Sequence, residues 1–207
     1  MITIAIARGR LLEEAGDLFI KAGYKVGDIL KDSRKLILEF PDQNLKFLII
    51  RPTDIPAYVE YGAADCGIVG KDTLLEETND LYEPLDLRIG ECKLVVAGPK
   101  DFDFTSNRSL RVATKYPKTT YEHFTGLGVG AEIVKLYGSV ELAPLVGLSD
   151  VIVDLSASGE TLKKNNLFEY ETIAEITARL VVNRVSMKVK AEEIKELIEK
   201  LKKVRKK

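Results

Sequence analysis

Short apolar runs and amphipathic stretches alternate along the chain. Ile2–Ala7 is an apolar run that reads as a first strand, and Leu11–Ala22 carries its apolar residues at helical spacing before stopping at Gly23. Lys35–Phe40 and Leu45–Arg51 flank the turn residues Pro41-Asp42-Gln43-Asn44 and predict an antiparallel pair. Thr53 or Asp54 is expected to cap a helix over Ile55–Tyr61, with Pro56 in its first turn. Cys66–Val69 predicts a short buried strand, and Asp72 the cap of the next helix. A second series begins near Leu87: strands at Lys93–Ala97, Arg111–Ala113, Glu132–Leu136 and Val151–Asp154, with helices at Pro117–Phe124 and Val140–Leu145 between them. Phe168–Val182 has β-like composition and suits a long return toward the first series. Ala191–Val204 predicts an amphipathic helix with Ile194, Leu197, Ile198 and Leu201 on one face.

Alternation of this kind predicts an α/β protein with mainly parallel sheets. Two βα series joined by two crossings predict two lobes: residues 1–87 with 177–207 as a discontinuous first lobe, and 88–176 as the second. A ligand is then expected in the cleft between lobes.

The stretch Val151-Ile152-Val153-Asp154-Leu155-Ser156-Ala157-Ser158-Gly159-Glu160-Thr161-Leu162 carries the most chemistry. It reads as a buried strand ending on an acid, then a loop of hydroxyls and glycine, then a helix. Ser156, Ser158 and Thr161 offer hydroxyls, and Gly159 permits close backbone approach to an anion. A following helix would add N–H groups and a positive dipole end. Asp154 can accept hydrogen bonds from sugar hydroxyls. An ordinary strand–turn–helix with a serine cap has the same outline, and only context separates the two.

Bulk composition narrows the field. The 207 residues carry a formal charge of −1, so no global basic field favours nucleic acid, and any phosphate must be held by locally placed groups. Cys66 and Cys92 show no metal or redox spacing and suit buried thiols in a reducing cytoplasm. No run approaches the ~20 apolar residues needed to span a bilayer. The first segment meets Arg8 and Arg10 too early for a signal peptide. The basic end, Lys202 to Lys207, reads as a solvated helix terminus.

Glu141, Gly147, Ser149, Ile152, Asp154, Leu155, Ser158, Gly159, Thr161 and Leu162 together resemble the signature of the ATP phosphoribosyltransferases, the first enzymes of histidine biosynthesis. Ala7-Arg8-Gly9-Arg10-Leu11, Asp32-Ser33-Arg34-Lys35-Leu36, Arg51-Pro52-Thr53-Asp54-Ile55-Pro56 and Gly67-Ile68-Val69-Gly70-Lys71-Asp72 are similar to further segments of that family, as is Arg111–Pro117. The length matches the family's short form.

The resemblance implies a type II periplasmic-binding-protein-like fold with the active site in its cleft. It implies attack of ATP N1 on C1 of 5-phosphoribosyl 1-pyrophosphate, Mg2+ as cofactor, self-association as dimers, and a regulatory subunit similar to histidyl-tRNA synthetase. The loop Ser156-Ala157-Ser158-Gly159-Glu160-Thr161 would hold the 5-phosphate. Asp154 and Glu141 would hold ribose hydroxyls or the oxocarbenium-like centre. Arg10 and Arg34 would contact the diphosphate, which suits arginine's two-pronged fork. Arg8, Gly9, Arg10, Arg51, Asp72 and Lys115 are candidates for the nucleotide. From residue type alone, exposed loop arginines, capping aspartates and a capping Glu141 remain the alternatives.

Three rival functions share parts of this pattern. A two-lobed binding protein without catalysis has the same architecture but is usually exported. A phosphoribosyltransferase acting on a free base typically shows paired acids before its phosphate loop, whereas Leu155 follows Asp154 here. A non-catalytic nucleotide sensor would not need Glu141, Asp154, Gly159 and Thr161 together.

Overall fold

The computed structural model describes residues 1–26, 35–100, 102–103 and 109–205. The chain divides into two units, Met1–Gly90 with Thr177–Lys207, and Glu91–Ile176.

In the first unit, the strands among the described residues are β1 (Ile2–Ala7), β2 (Ile37–Phe40), β3 (Leu45–Ile50), β4 (Cys66–Gly70), β5 (Tyr82–Asp86) and β11 (Ala178–Val182), in the sheet order β2-β3-β1-β4-β11-β5. β1 runs parallel to both β3 and β4. Alternate residues of β1 serve opposite faces, as a pleated strand requires. Ile4 and Ile6 pack with Leu12 and Phe19 of α1 (Arg10–Lys21) and with Ile194, Leu197 and Leu201 of the C-terminal helix Ala191–Val204. Ala5 and Ala7 pack with Ile55 and Val59 of α2 (Ile55–Glu60). Phe19 meets Phe47 edge-on at 5.3 Å. Both rings are fully buried, and each contributes about 1.5–3 kcal/mol through burial. Gly67 lets α2 approach β4, because a Cβ there would come within 2.7 Å of Ile55 Cγ2.

In the second unit, β6 (Cys92–Pro99), β7 (Ser109–Thr114), β8 (Gly130–Lys135), β9 (Val151–Ser156) and β10 (Leu167–Ile176) form a sheet in the order β10-β6-β9-β7-β8. α4 (Pro117–Gly126) packs on β7 and β8; α3 (Lys71–Glu76) lies in the first unit.

The sheets are mixed, where mainly parallel ones were expected. β7 is parallel to β8 and β9, but β6 is antiparallel to β9 and β10, and β11 is antiparallel to β4 and β5. In the first sheet β2 and β11 run against the other strands; in the second β6 does, while β10, antiparallel to β6, runs with β7, β8 and β9.

The expected helix over Val140–Leu145 shrinks to a single 3-10 turn, Val140–Leu142. Pro144 has no N–H to continue it, and Gly147 turns the chain at φ 72°. The expected caps also differ. Asp54 does occupy the N-cap of α2, as one of the two expected residues, but it has helical dihedrals and makes no side-chain capping bond. Gly70, not Asp72, occupies the N-cap of α3.

Asp65, 8% exposed, ties the C-terminal segment to the first strand. Its carboxylate accepts hydrogen bonds from Thr3 N–H (2.8 Å), Ser186 Oγ (2.7 Å) and Lys190 Nζ (2.7 Å). Burial opposes its ionisation, but the Lys190 ammonium and the Thr3 and Ser186 donors outweigh that, so the carboxyl titrates below its ordinary value. A depressed native pKa stabilises the fold above about pH 4, and this contribution disappears as pH falls further. Asp65→Ala, which strands three donors, is expected to cost about 2–3 kcal/mol in urea unfolding at neutral pH. Asp65→Asn should flatten the acid limb of the stability profile. An unchanged acid limb would show that this carboxylate is not the group being titrated.

Candidate active site

β9 is the middle strand of the second sheet and is bonded on both sides. Asp154 stands opposite Val95 of β6, and Val153 opposite Thr114 of β7. The fully buried Thr114 reinforces the junction: its hydroxyl donates to Val153 O (2.7 Å) and accepts from Tyr116 N–H (2.9 Å). One side chain thereby fixes the end of β9 against the Lys115-Tyr116 loop. The ladder ends at Ser156, and the chain enters Ala157-Ser158-Gly159, where Gly159 at φ 72° adopts a backbone that L side chains avoid.

Beyond that end lies a pocket of about 410 Å³. Asp154, Ser156, Ala157, Ser158, Gly159, Glu160 and Thr161 line it, together with Glu141, Lys115, Tyr116 and Ser139. The second-unit residues expected at the site, Lys115, Glu141, Asp154 and 156–161, therefore line one cavity, whereas Gly147 and Ser149 of the signature do not. Ser156 is buried, whereas Ser158 and Thr161 are exposed. Ser158 Oγ accepts a 3.4 Å bond from Glu160 N–H, and Asp154 Oδ1 accepts Leu155 N–H at 2.8 Å. The following helix, α5 (Glu160–Lys164), has only five residues, so its dipole is short and loop N–H groups must carry most of any attraction for an anion.

Charge in the pocket is lopsided. Among the described residues that line it, Glu141, Asp154 and Glu160 are set against one cation, Lys115. Glu141 lies in the Val140–Leu142 turn, whose N-cap Ser139 makes no side-chain capping bond, so the reciprocal box expected of a capping glutamate does not close.

The first-unit candidates form a separate group. Because β1, β3 and β4 are parallel neighbours, Arg8-Gly9-Arg10, Arg51 and Lys71-Asp72 all lie at the carboxyl edge of their sheet, the edge where open α/β sheets bind ligands. Gly9, at φ 101°, leads into α1. Arg8 Nη2 donates to Lys35 O at 3.2 Å, and Arg10 Nε lies 3.4 Å from Glu14 Oε1. Lys71 is committed to Glu83 at 2.6 Å. Arg51 is exposed at the start of the Pro52–Asp54 turn. Arg34 and the Asp32-Ser33 segment before it lie outside the described residues.

Residues 51–203 match the family described as ATP phosphoribosyltransferase. The chain belongs to the ATP phosphoribosyltransferase family. It is 56% identical over 206 residues to ATP phosphoribosyltransferase 2 of Geobacter sulfurreducens, covering 98% of this chain and 97% of that protein. It is 52% identical to the ATP phosphoribosyltransferase of Caldanaerobacter subterraneus subsp. tengcongensis, over 99% of this chain and 97% of that one. Among solved structures, the ATP phosphoribosyl transferase (HisG:HisZ) complex from Thermotoga maritima matches with a TM-score of 0.84 at 37% identity, over 99% of this chain and 98% of that one. The periplasmic aliphatic sulphonate binding protein SsuA from Escherichia coli shares the fold at TM-score 0.65 and 10% identity, covering 98% of this chain and 72% of that one.

Sequence reasoning gave Ser139 no role. In this member of the ATP phosphoribosyltransferase family it lines the pocket in a left-handed conformation, φ 48° and ψ 43°. The available signal was the Gly138-Ser139 pair immediately before Glu141. His123, the chain's only histidine, is mostly buried on α4, 3.5 Å from Glu171, and does not line the pocket.

Gly159→Val forces a β-branched residue into a left-handed dihedral at about 1–2 kcal/mol, although only Ser156 Oγ, at 4.0 Å, stands near an added Cβ. Gly159→Val and Thr161→Ala should therefore fold and raise KM for the phosphoribosyl donor. Unchanged KM in both variants would remove this loop from the donor site.

Proposed function

We propose that this chain catalyses attack of ATP N1 on C1 of 5-phosphoribosyl 1-pyrophosphate. The products are N1-(5-phosphoribosyl)-ATP and pyrophosphate, the first step of histidine biosynthesis. The observation that carries the reading is a single pocket uniting Asp154, Glu141 and the 156–161 loop in a chain of this family.

N1 carries a lone pair at neutral pH, so attack requires no strong base. The demanding tasks are orientation of two polyanions and stabilisation of the departing diphosphate. In this reading, loop N–H groups and the hydroxyls of Ser156, Ser158 and Thr161 hold the 5-phosphate. Asp154 and Glu141 accept from the ribose hydroxyls and favour positive charge developing at C1. The C1–O bond to diphosphate breaks as the N1–C1 bond forms. Arg10 and Arg34 receive the diphosphate through paired N–H donors. Arg8, Gly9, Arg51, Asp72 and Lys115 serve the nucleotide.

Mg2+ fits this donor set. Three carboxylates against one lysine cannot by themselves neutralise a sugar diphosphate. Among the described residues no group of three or more His, Cys, Asp or Glu side chains could hold a metal ion. Mg2+ often keeps several waters and binds through substrate phosphates plus one or two carboxylates, and Glu141, Asp154 and Glu160 are the carboxylates at hand. When bound, it would screen the diphosphate's charge.

We also assign the chain to a hetero-oligomer with a regulatory subunit similar to histidyl-tRNA synthetase, and to dimers of its own. The match to a HisG:HisZ complex supports the first assignment. Among the described residues no helix is long and apolar enough to cross a membrane. The buried Cys66 thiol, which burial pushes up to about 12, suits a reducing cytoplasm.

The direct test mixes the purified chain, with and without its partner subunit, with ATP, the phosphoribosyl donor and Mg2+, and follows the absorbance of the N1-substituted adenine. Retention of both substrates unchanged would favour the ligand-binding alternative that the SsuA-like fold allows. Arg10→Ala should lower kcat by about 10²-fold if Arg10 stabilises the leaving diphosphate; wild-type turnover would overturn its role. Histidine should inhibit the complex and leave the isolated chain nearly unaffected, and tight inhibition of the isolated chain would overturn the assignment of feedback to the partner.

A further inference from the structure

The carboxylate of Glu14 is divided between two tasks. Oε2 accepts a 2.7 Å hydrogen bond from Gly90 N–H, 76 positions away, and Oε1 lies 3.4 Å from Arg10 Nε. Gly90 ends the first stretch of the first unit and adopts φ +64°, with Leu11 Cδ1 at 3.3 Å from where a Cβ would stand. The backbone that anchors Glu14 is thus itself held in a conformation that only glycine takes without strain.

Helix stability does not explain this pair. Arginine four residues before glutamate is the less favourable order along a helix, and pairs this exposed contribute little. More than half of the Arg10 side chain is exposed, at 58%, while that of Glu14 is less so, at 35%. The charged bond to the Gly90 amide is the strong one and fixes the carboxylate in place. A fixed carboxylate against Nε restricts the guanidinium plane of Arg10 and leaves its two Nη groups to meet an anion at the carboxyl edge of the sheet.

We infer that Glu14 is a positioning residue for this transfer: anchored by the Gly90 amide, it holds Arg10 with its Nη groups presented to the diphosphate of the phosphoribosyl donor. The inference rests on the assignment of Arg10 to that diphosphate. It predicts that an unanchored Arg10 costs turnover through misplacement.

The test is a double-mutant cycle on the full chain with its partner subunit, using ATP, the phosphoribosyl donor and Mg2+. Glu14→Ala should lower kcat/KM for the donor by about 10- to 10²-fold. Glu14→Gln can still accept the Gly90 N–H but then turns its NH2 toward Arg10 Nε, donor against donor, so it should keep the fold and still lose most of the Arg10-dependent rate; wild-type activity of Glu14→Gln would overturn the role. In an Arg10→Ala background, Glu14→Ala should have little further effect, because it acts through Arg10. Unfolding temperatures identify any variant that loses activity through loss of fold, and Glu14→Gln then carries the comparison with Arg10→Ala. Full additivity of Glu14→Ala on Arg10→Ala would overturn the positioning role while leaving Arg10 in its place. Wild-type activity of Glu14→Ala would overturn it as well. Wild-type activity of Arg10→Ala alone would overturn the Arg10 assignment and this inference with it.

Discussion

The site in the second unit depends on β9 being held from both sides. An acid and a hydroxyl-rich loop can serve a phosphorylated sugar only if their positions survive thermal motion. Ladder bonds to β6 and β7, and the Thr114 hydroxyl on Val153 O, supply that restraint at the point where the chain leaves the sheet. The loop Ala157-Ser158-Gly159 between β9 and α5 is irregular and largely exposed, so its geometry is inherited from the strand. The same Thr114 hydroxyl receives the Tyr116 amide, so the Lys115-Tyr116 side of the pocket has the same anchor.

The pocket's acidity gives the chemistry its shape. A protein with a formal charge of −1 cannot attract polyanions by a general field, and this cavity carries more negative than positive side chains. Carboxylates beside a developing oxocarbenium-like centre are useful, but they repel the diphosphate that must leave. Cations must therefore come from elsewhere, and the arginines at the carboxyl edge of the first sheet, with Mg2+, are the groups our reading assigns to that task. In that reading, acids beside C1 and cations at the diphosphate would favour the transition state over the ground state, because the sugar becomes positive as the diphosphate departs.

Much of this was legible in the residue pattern, for physical reasons that differ by element. The C-terminal helix buries one repeating face, so its period identified it, whereas β1 is buried on both faces and showed as an unbroken apolar run. The 151–162 segment was readable because strand, acid and glycine loop are contiguous. Strand direction was not readable: a buried strand has the same composition whichever way it runs, and the reversal of β6 and β11 depends on pairings across the chain. β5 escaped notice because Pro84 interrupts it and only Leu85 is buried. Ser139 escaped because its left-handed backbone is imposed by the turn around it.

The strand order also bears on how the chain is born. β11 sits between β4 and β5, yet it is made about ninety residues after β5 and more than a hundred after β4. While a ribosome is still translating the intervening stretch, β4 has an unpaired edge and the centre of its sheet is open. The second unit is contiguous in sequence and can close as soon as it emerges. The nascent molecule therefore carries a finished half and an unfinished one, and its exposed β4 edge is where a chaperone would be needed first.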